Sequence, residues 1–351
     1  MGEIKKAKLV LFLVGSVLLI SFTFYAYQII YVSNILVERE DKVFLVRPGT
    51  SYRTVLENLG KGSYVNDMVS FGFLARLSGY DKKIVSGRFI LKSGMTNLQA
   101  IKVLKSGKQE PVKITFSYVR LTNELVEKLT KNIGVSTEEF KDALDDFVEN
   151  NKDGFTKENV RCMFLPNTYE VYFNITPKDL IEKMHEEFNH FWNKERLDKA
   201  KKLELTPIEV SILASIVQAE TVKQDEAPMI AGLYLNRLKK DIALQADPTL
   251  VYASGDFSLK RVLNGHKEIN SPYNTYKHPG LPPGPINVPQ IVSIEAVLNY
   301  TKSNYYYMCA KEDFSGYHAF AANLSEHNIN ARKYQKALTA EIKKGEALKK
   351  N

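Results

Sequence analysis

One glutamate occupies a position where the pattern of a helix would normally place an apolar residue. Residues 206–209 (TPIE) form a capping box with proline at the first helical position, which predicts a helix start. Glu220 extends the apolar stripe of that helix, four residues after Ile216 and three after Val217. Desolvation on such a face raises the pKa of a carboxyl, so Glu220 is a candidate general acid. The alternative is a glutamate at a helix end that reaches solvent or pairs with Lys or Arg.

Three segments rich in polar, aromatic and proline residues follow Glu220 and could form a cleft. Residues 244–249 (LQADPT) are polar and turn-like, and residues 271–276 (SPYNTY) run into residues 280–285 (GLPPGP). Six of the 13 prolines lie within 272–289, so this loop is stiff and loses little entropy when it is ordered. Tyrosine faces and amides suit sugar rings, which stack on apolar faces and form hydrogen bonds through their hydroxyls. A rigid loop that binds no ligand is the alternative.

Other catalytic chemistries find little support in the residue patterns. His185 and His190 lie five residues apart, whereas a zinc-binding pair on one helix face lies four apart, so the second ring is turned about 140° away. Neither a nucleophile elbow nor a phosphate-binding glycine loop is found, and we expect no metal and no cofactor. Two cysteines, Cys162 and Cys309, cannot build a disulfide framework, and the sequence leaves open whether they pair.

Composition places the chain among ordinary folded proteins. Its 351 residues suggest about two domains, and 44% hydrophobic with 25% charged residues argues against extensive disorder. The net charge of +8 is too mild to indicate nucleic-acid binding. A positive charge of this size is compatible with simple solubility, with binding to an acidic polymer of the cell envelope, or with binding to anionic lipid headgroups.

The first element that must position the candidate site is a membrane anchor. Residues 9–32 carry no charge, and at 1.5 Å per residue they span about 36 Å as a helix. Lysines precede them within residues 1–8, so the positive-inside rule predicts a cytoplasmic tail there and an external remainder. A cleaved signal peptide is the alternative, but its apolar core would be about 7–15 residues long. We therefore expect a retained single-pass anchor in the cytoplasmic membrane.

Two strand–turn–helix units follow the anchor, with turn glycines Gly49 and Gly94 lying 45 residues apart. Neither unit can bury a core alone, so the repeat predicts one small α/β module over residues 42–108 that positions or binds rather than reacts. Residues 109–158 are expected to connect this module to the rest through a third, weaker strand and helix. Their acidic stretch 137–148 is predicted to be a solvated connector.

The remainder, residues 159–345, is expected to form a larger α+β domain that carries the chemistry. A second helix is predicted at 227–238, strands at 305–310 and 317–320, and an amphipathic helix at the end. The whole chain is therefore predicted to be α+β, with a single N-terminal transmembrane helix, a small module and a larger catalytic domain.

In six short segments the chain resembles the membrane-anchored endolytic murein transglycosylases, the YceG-like or MltG group. The resemblance lies in LASIVQAET, LYLNRL, LQADPTLVY, SPYNTY, GLPPGPI and FAANLSEHN, in that order. It implies that the small module is LysM-like and that Glu220, in its I-V-x-x-E-T context, is catalytic. It also implies that one set of side chains positions the sugars in the cleft: Gln245, Asp247, Tyr273, Asn274 and Tyr276.

The chain departs from the family pattern at two positions. Many members carry a second acidic residue where this chain has Gln218, which favours Glu220 as the essential carboxyl. Asn167 stands where the family usually has Asp, which puts in doubt any essential charge there.

The resemblance further implies a reaction and its setting. The β-1,4 bond between N-acetylmuramic acid and N-acetylglucosamine of nascent strands is cleaved by the muramic C6 hydroxyl, which leaves 1,6-anhydro ends and ends strand elongation. One glutamate can then donate and later accept a proton, without a second carboxylate. Implied partners are glycan strands, the cytoplasmic membrane and cell-wall synthases, and no nucleic acid. The alternative is a membrane-anchored peptidoglycan-binding or assembly protein without catalysis.

Overall fold

The computed structural model describes residues 2–36, 41–259 and 261–348, and the chain divides into two units. The N-terminal unit consists of Met1–Ile114, Thr130–Ser136 and Tyr169–Thr176. The C-terminal unit consists of Thr115–Leu129, Thr137–Thr168 and Pro177–Asn351. The predicted module at 42–108 lies within the N-terminal unit, whereas the predicted connecting segment 109–158 is shared between both. Helices and strands are mixed in the chain, as predicted for an α+β fold.

The first element is a long apolar helix, α1 (Gly2–Tyr31). Its segment Ile4–Tyr31 has a mean hydropathy of 2.3, and none of this apolar stretch is buried by the rest of the protein. Twenty-eight residues extend about 42 Å, which exceeds the hydrocarbon core of a bilayer. Within the described residues this is the one helix long and apolar enough to span a membrane, and it fits a single-pass anchor.

A two-stranded antiparallel sheet and three helices form the core of the N-terminal unit. Strand β1 (Lys42–Val46) pairs with β2 (Gly87–Leu91), so that Phe44 lies opposite Phe89 and both rings are buried. The helices are α2 (Tyr52–Lys61), α3 (Met68–Leu77) and α4 (Asn97–Ser106). Side chains of Ser51, Asp67 and Thr96 cap their first turns, because each accepts a hydrogen bond from a free backbone N–H. The LysM likeness of this unit stays a prediction.

Buried amides connect the end of α1 to the core of the N-terminal unit. Asn34 donates through Nδ2 to Oδ1 of Asn97 (2.6 Å), and Asn97 donates to the carbonyl of Ile29 in α1 (3.0 Å). The backbone N–H of Asp67 completes the cluster by donating to Oδ1 of Asn34 (2.7 Å). Both asparagines are buried, so breaking one bond would leave a polar group unsatisfied at a cost of about 1–3 kcal/mol.

The acidic stretch after the module is part of the C-terminal unit and does not behave as a solvated connector. Strand β3 (Val112–Thr115) pairs with β4 (Thr168–Val171), and most of both strands belongs to the N-terminal unit. Helix α5 (Thr122–Thr130) follows β3. Helix α6 (Thr137–Asn150) buries Phe140 and Leu144, which lie four residues apart and therefore on one face. That face packs on α7 (Pro177–Phe191), while most of the acidic side chains point away. The prediction of a solvated connector was wrong because it weighed charge and ignored this apolar pair.

A central helix organises the rest of the C-terminal unit. This helix, α9 (Pro207–Glu220), begins with the predicted capping box, in which Glu209 N–H donates to Thr206 Oγ1 (3.2 Å). Every residue from Val210 to Val217 is buried, so α9 is enclosed on all sides over two turns. It packs against α8 (Lys194–Lys202), α10 (Ala227–Lys239), α11 (Asp247–Ser254) and α12 (Ile291–Leu298). A hairpin of β5 (Tyr307–Ala310) and β6 (His318–Ala321) and a final helix α13 (Leu324–Leu348) complete the unit.

Candidate active site

Glu220 is the last residue of α9 and lines a pocket of about 400 Å³. Three of the residues predicted to form the cleft, Gln245, Asp247 and Tyr276, line the same pocket. Several polar residues of the lining were not among the predicted site residues: Tyr234, Arg237, His318 and His327. The pocket is therefore assembled from α9, α10, the start of α11, the loop before α12, the hairpin and α13.

The carboxyl of Glu220 is held in a partly desolvated position. The residue keeps access to the pocket, but protein atoms surround its carboxyl, and this burial raises the pKa from 4.5 to about 7. Tyr234 opposes the shift by donating its hydroxyl to Oε1 (2.5 Å). The charge of Asp247 raises the pKa further, and His318 lowers it. A carboxyl with this pKa is protonated about half of the time near neutral pH, which suits a general acid.

Tyr234 fixes one oxygen of the carboxyl and leaves the other available. It is buried in α10, and both burial and the neighbouring Glu220 raise its pKa, so its hydroxyl keeps its proton and acts as a donor. Because Oε1 accepts this bond, Oε2 is the oxygen that can carry the exchangeable proton. The segment LYLNRL contains Tyr234, yet nothing in its spacing shows that the ring reaches a residue 14 positions earlier.

The two polar segments of the predicted cleft are joined to each other. Tyr276 donates its hydroxyl to Oδ1 of Asp247 (2.6 Å), and the backbone N–H of Gln245 donates to the carbonyl of Thr275 (3.0 Å). Gln245 has φ of 52°, an uncommon value for a residue other than glycine. The predicted turn at 244–249 ends earlier than expected, because Pro248 lies in the first turn of α11, where its missing N–H costs nothing.

Arg237 shapes the pocket wall through backbone carbonyls. Its Nε donates to the carbonyl of Tyr306 (2.6 Å), and Nη1 donates to the carbonyls of Ala243 (2.9 Å) and Leu244 (3.0 Å). The guanidinium also lies over the Tyr307 ring, with its carbon 5.3 Å from the ring centroid. Arg237 therefore joins α10 to the hairpin and to the segment that carries the polar cleft residues.

Asn274 is placed differently from the prediction that it positions a sugar. Its side chain is fully buried, Nδ2 donates to the carbonyls of Lys267 (2.9 Å) and Ile269 (2.8 Å), and Oδ1 accepts from Tyr276 N–H (3.0 Å). We correct the prediction: both donors are used and no surface is free for a ligand, so Asn274 shapes the loop that presents Tyr276.

Tyr273 is not among the residues that line the Glu220 pocket. Its ring packs on Tyr252 with centroids 4.7 Å apart, and burial raises its pKa to about 12. Tyr273 and Tyr276 were predicted to lie in one cleft, but the fold directs these two side chains of the same loop to different places.

Residues 44–333 match the YceG-like family. The chain belongs to the YceG-like family.

Named relatives of this chain include endolytic murein transglycosylases of two bacteria. The endolytic murein transglycosylase of Streptococcus pneumoniae serotype 2 strain D39 is 26% identical over 368 residues, covering 94% of this chain and 65% of the relative. That of Bacillus subtilis strain 168 is 38% identical over 157 residues, covering 45% of this chain and 42% of the relative. The chain thus spans less than two thirds of the length of these relatives.

A crystal structure of a YceG-like protein from Listeria monocytogenes has a similar fold. Its TM-score is 0.55 at 26% identity, and the similarity covers 83% of this chain and 99% of that chain.

The two departures from the YceG-like pattern have structural roles here. Gln218 donates through Nε2 to Oδ1 of Asn287 (2.9 Å), and its Oε1 accepts from Gln290 N–H (2.6 Å) and Ser293 Oγ (3.1 Å). It therefore holds the end of the proline-rich loop and the start of α12 against α9. Asn167 is exposed, and its Oδ1 accepts from Thr168 N–H (2.8 Å).

The cysteines and histidines considered from the sequence have ordinary environments in this YceG-like chain. Cys162 and Cys309 are both free, which answers the open question of pairing, and burial raises the pKa of Cys162 to about 12. His185 lies 3.2 Å from Oδ2 of Asp153. Among the described residues no group of three or more His, Cys, Asp or Glu side chains is placed to hold a metal ion.

Proposed function

We propose that this YceG-like chain is an endolytic murein transglycosylase that cleaves the β-1,4 bond between N-acetylmuramic acid and N-acetylglucosamine within glycan strands. The observation that carries the proposal is the Glu220 carboxyl, which has a pKa of about 7 and opens into a pocket lined with polar and aromatic side chains. The names of its relatives in Streptococcus and Bacillus support the same substrate class.

Glu220 acts as the acid in the proposed reaction. Its Oε2 donates a proton to the glycosidic oxygen while Tyr234 holds Oε1, and the bond between the anomeric carbon and that oxygen breaks. The C6 hydroxyl of the muramic residue attacks the anomeric carbon and closes a 1,6-anhydro ring. Because the nucleophile belongs to the substrate, no water has to be bound and activated by a second carboxylate. The Glu220 carboxylate can accept the proton released by the attacking hydroxyl.

The remaining polar side chains of the pocket position the sugars. Gln245 and Asp247 are exposed at the pocket, and Tyr276 is oriented by its bond to Asp247. Amide and carboxylate groups suit sugar hydroxyls as hydrogen-bond partners.

We further propose that α1 anchors the enzyme in the cytoplasmic membrane with its N-terminus inside. Lys5, Lys6 and Lys8 support this orientation, because positive residues flanking a span stay on the cytoplasmic side. The C-terminal unit would then act outside, where strands emerge from cell-wall synthases, and the N-terminal unit would position it on them.

The direct test is digestion of purified peptidoglycan by the full chain in detergent micelles, followed by mass spectrometry of strand ends. An anhydro end is lighter by one water than a hydrolysed end, so the products distinguish a transglycosylase from a hydrolase. Glu220→Gln should be inactive, whereas the exposed Glu182→Gln on α7 should match the wild type. Binding of strands without cleavage by the wild type would instead support a non-catalytic assembly protein.

A further inference from the structure

A second ionisable side chain of the pocket is held in a fixed orientation. His318, the first residue of β6, lines the pocket that contains Glu220, and its Nδ1 lies 2.8 Å from Oε2 of Glu226. The backbone N–H of His318 also donates to Oε1 of Glu226 (2.7 Å). Thr221 Oγ1 donates to Glu226 as well (3.3 Å), and Glu226 is only 6% exposed. Buried and bonded through both oxygens, Glu226 can hold the imidazole in one position.

This arrangement determines which nitrogen of His318 is available. A carboxylate only accepts hydrogen bonds, so the proton of the neutral ring lies on Nδ1 and the lone pair lies on Nε2. Nε2 has no hydrogen-bond partner among the described residues, although the ring lines the pocket. A nucleophile or substrate hydroxyl bound there would meet a base that a third group orients, which is the general arrangement of an activated nucleophile.

We propose that His318, in place of the Glu220 carboxylate, is the catalytic base of this site, a role that rests on the proposed transglycosylase function and revises only its last proton transfer. Nε2 takes the proton of the C6 hydroxyl as its oxygen bonds to the anomeric carbon. The bond from that carbon to the leaving oxygen breaks, and the leaving oxygen takes the proton of Glu220. The imidazolium then returns its proton to the Glu220 carboxylate through solvent, which restores both groups without consuming water.

Other charged groups near His318 are accounted for. Asp225 accepts from Tyr317 Oη (2.9 Å). The ammonium groups of Lys223 and Lys311 lie 5.0 and 5.5 Å from the centroid of the Tyr317 ring. Glu226 therefore contacts the imidazole on its Nδ1 side, and Glu220 is close enough to interact with it electrostatically. Asp247, Arg237 and His327 line the same pocket.

The test measures initial rates of anhydro-end formation by the full chain in micelles between pH 5 and 9. The wild-type rate should fall on the alkaline side, where Glu220 loses its proton. His318→Gln should lower the rate at least about 100-fold, because the base is lost, and should keep the alkaline fall. His190→Gln, an exposed histidine at the end of α7, should match the wild type.

Two further measurements separate a base from a structural residue. In His318→Ala the missing ring leaves space beside Glu226, so added imidazole should restore part of the rate. Glu226→Gln replaces one of the two acceptor oxygens that hold His318 with an amide donor, so the ring should lose its fixed orientation and the rate should fall. A folded His318→Gln with the wild-type rate would overturn the proposal, as would a folded, inactive His318→Ala that imidazole does not rescue. In either case an inactive Glu220→Gln would leave the proposed function standing, whereas an active one would refute that function itself.

Discussion

Replacing Glu220 with glutamine tests the proposed acid through two quantities that should move in opposite directions. Gln is nearly isosteric, and its Oε1 can still accept the hydroxyl of Tyr234. It cannot donate a proton to the leaving oxygen, so cleavage should fall at least about 10²–10⁴-fold. Stability should rise at alkaline pH, because the variant no longer carries a charge that the protein desolvates.

The size of the stability change follows from the pKa. The pKa of Glu220 rises from 4.5 to about 7 on folding, so between these values the native state binds more protons than the unfolded state. Stability of the wild type therefore falls as pH rises through this window and stays reduced above it. The full difference corresponds to about 3 kcal/mol at pH 8 and to less than about 1 kcal/mol at pH 5. Gln is uncharged at both values and does not incur this loss.

Unfolding of the C-terminal unit, which carries the candidate site, can be followed separately by fluorescence. Trp192 is the only tryptophan of the chain and is buried in the C-terminal unit, so its fluorescence reports denaturant unfolding there. The same preparations are assayed for anhydro ends, with Glu182→Gln as the control. The expected pattern is an inactive variant that is more stable than the wild type at pH 8 and similar to it at pH 5. A variant less stable at pH 8 that retains turnover would refute the reasoning and make Glu220 a structural residue.

Three other changes follow from the same contacts. Asp247→Asn removes a charge that raises the pKa of Glu220, so the alkaline fall in rate should move to lower pH in a pH–rate profile. Gln218→Glu loses the amide donor to Asn287 and should destabilise the C-terminal unit by about 1–3 kcal/mol, measured by tryptophan fluorescence. A maleimide should label Cys309, which is partly exposed, and should reach Cys162 only after unfolding, as mass spectrometry would show.

Local patterns predicted the helices well because the interactions that start a helix lie within four residues. The capping box at Thr206 and Glu209 is formed as the sequence indicated, and so is the turn and cap at Thr96. The apolar stripe predicted a single buried face for α9, whereas neighbouring elements enclose the helix on all sides from Val210 to Val217.

The composition of the pocket could be predicted only in part, because its walls come from distant parts of the chain. Tyr234 lies 14 residues after Glu220 and His318 lies 98 residues after it, and no spacing rule relates such positions. Within the loop, Asn274 and Tyr276 have similar sequence surroundings, yet the first is buried and the second lines the pocket. That difference arises from the tight turn that the Asn274 amide itself holds.

The position of Glu220 at the end of α9 supports the proposal that this carboxyl, and not one two residues earlier, acts as the acid. Successive residues turn about 100° around a helix, so residues 218 and 220 point about 160° apart. The Gln218 side chain faces the proline-rich loop and α12, while Glu220 faces the pocket. A carboxyl at position 218 would therefore lie against Asn287 and out of reach of a glycan. Glu220 also lies at the negative end of the helix dipole, which disfavours its charged form and acts in the same direction as its burial.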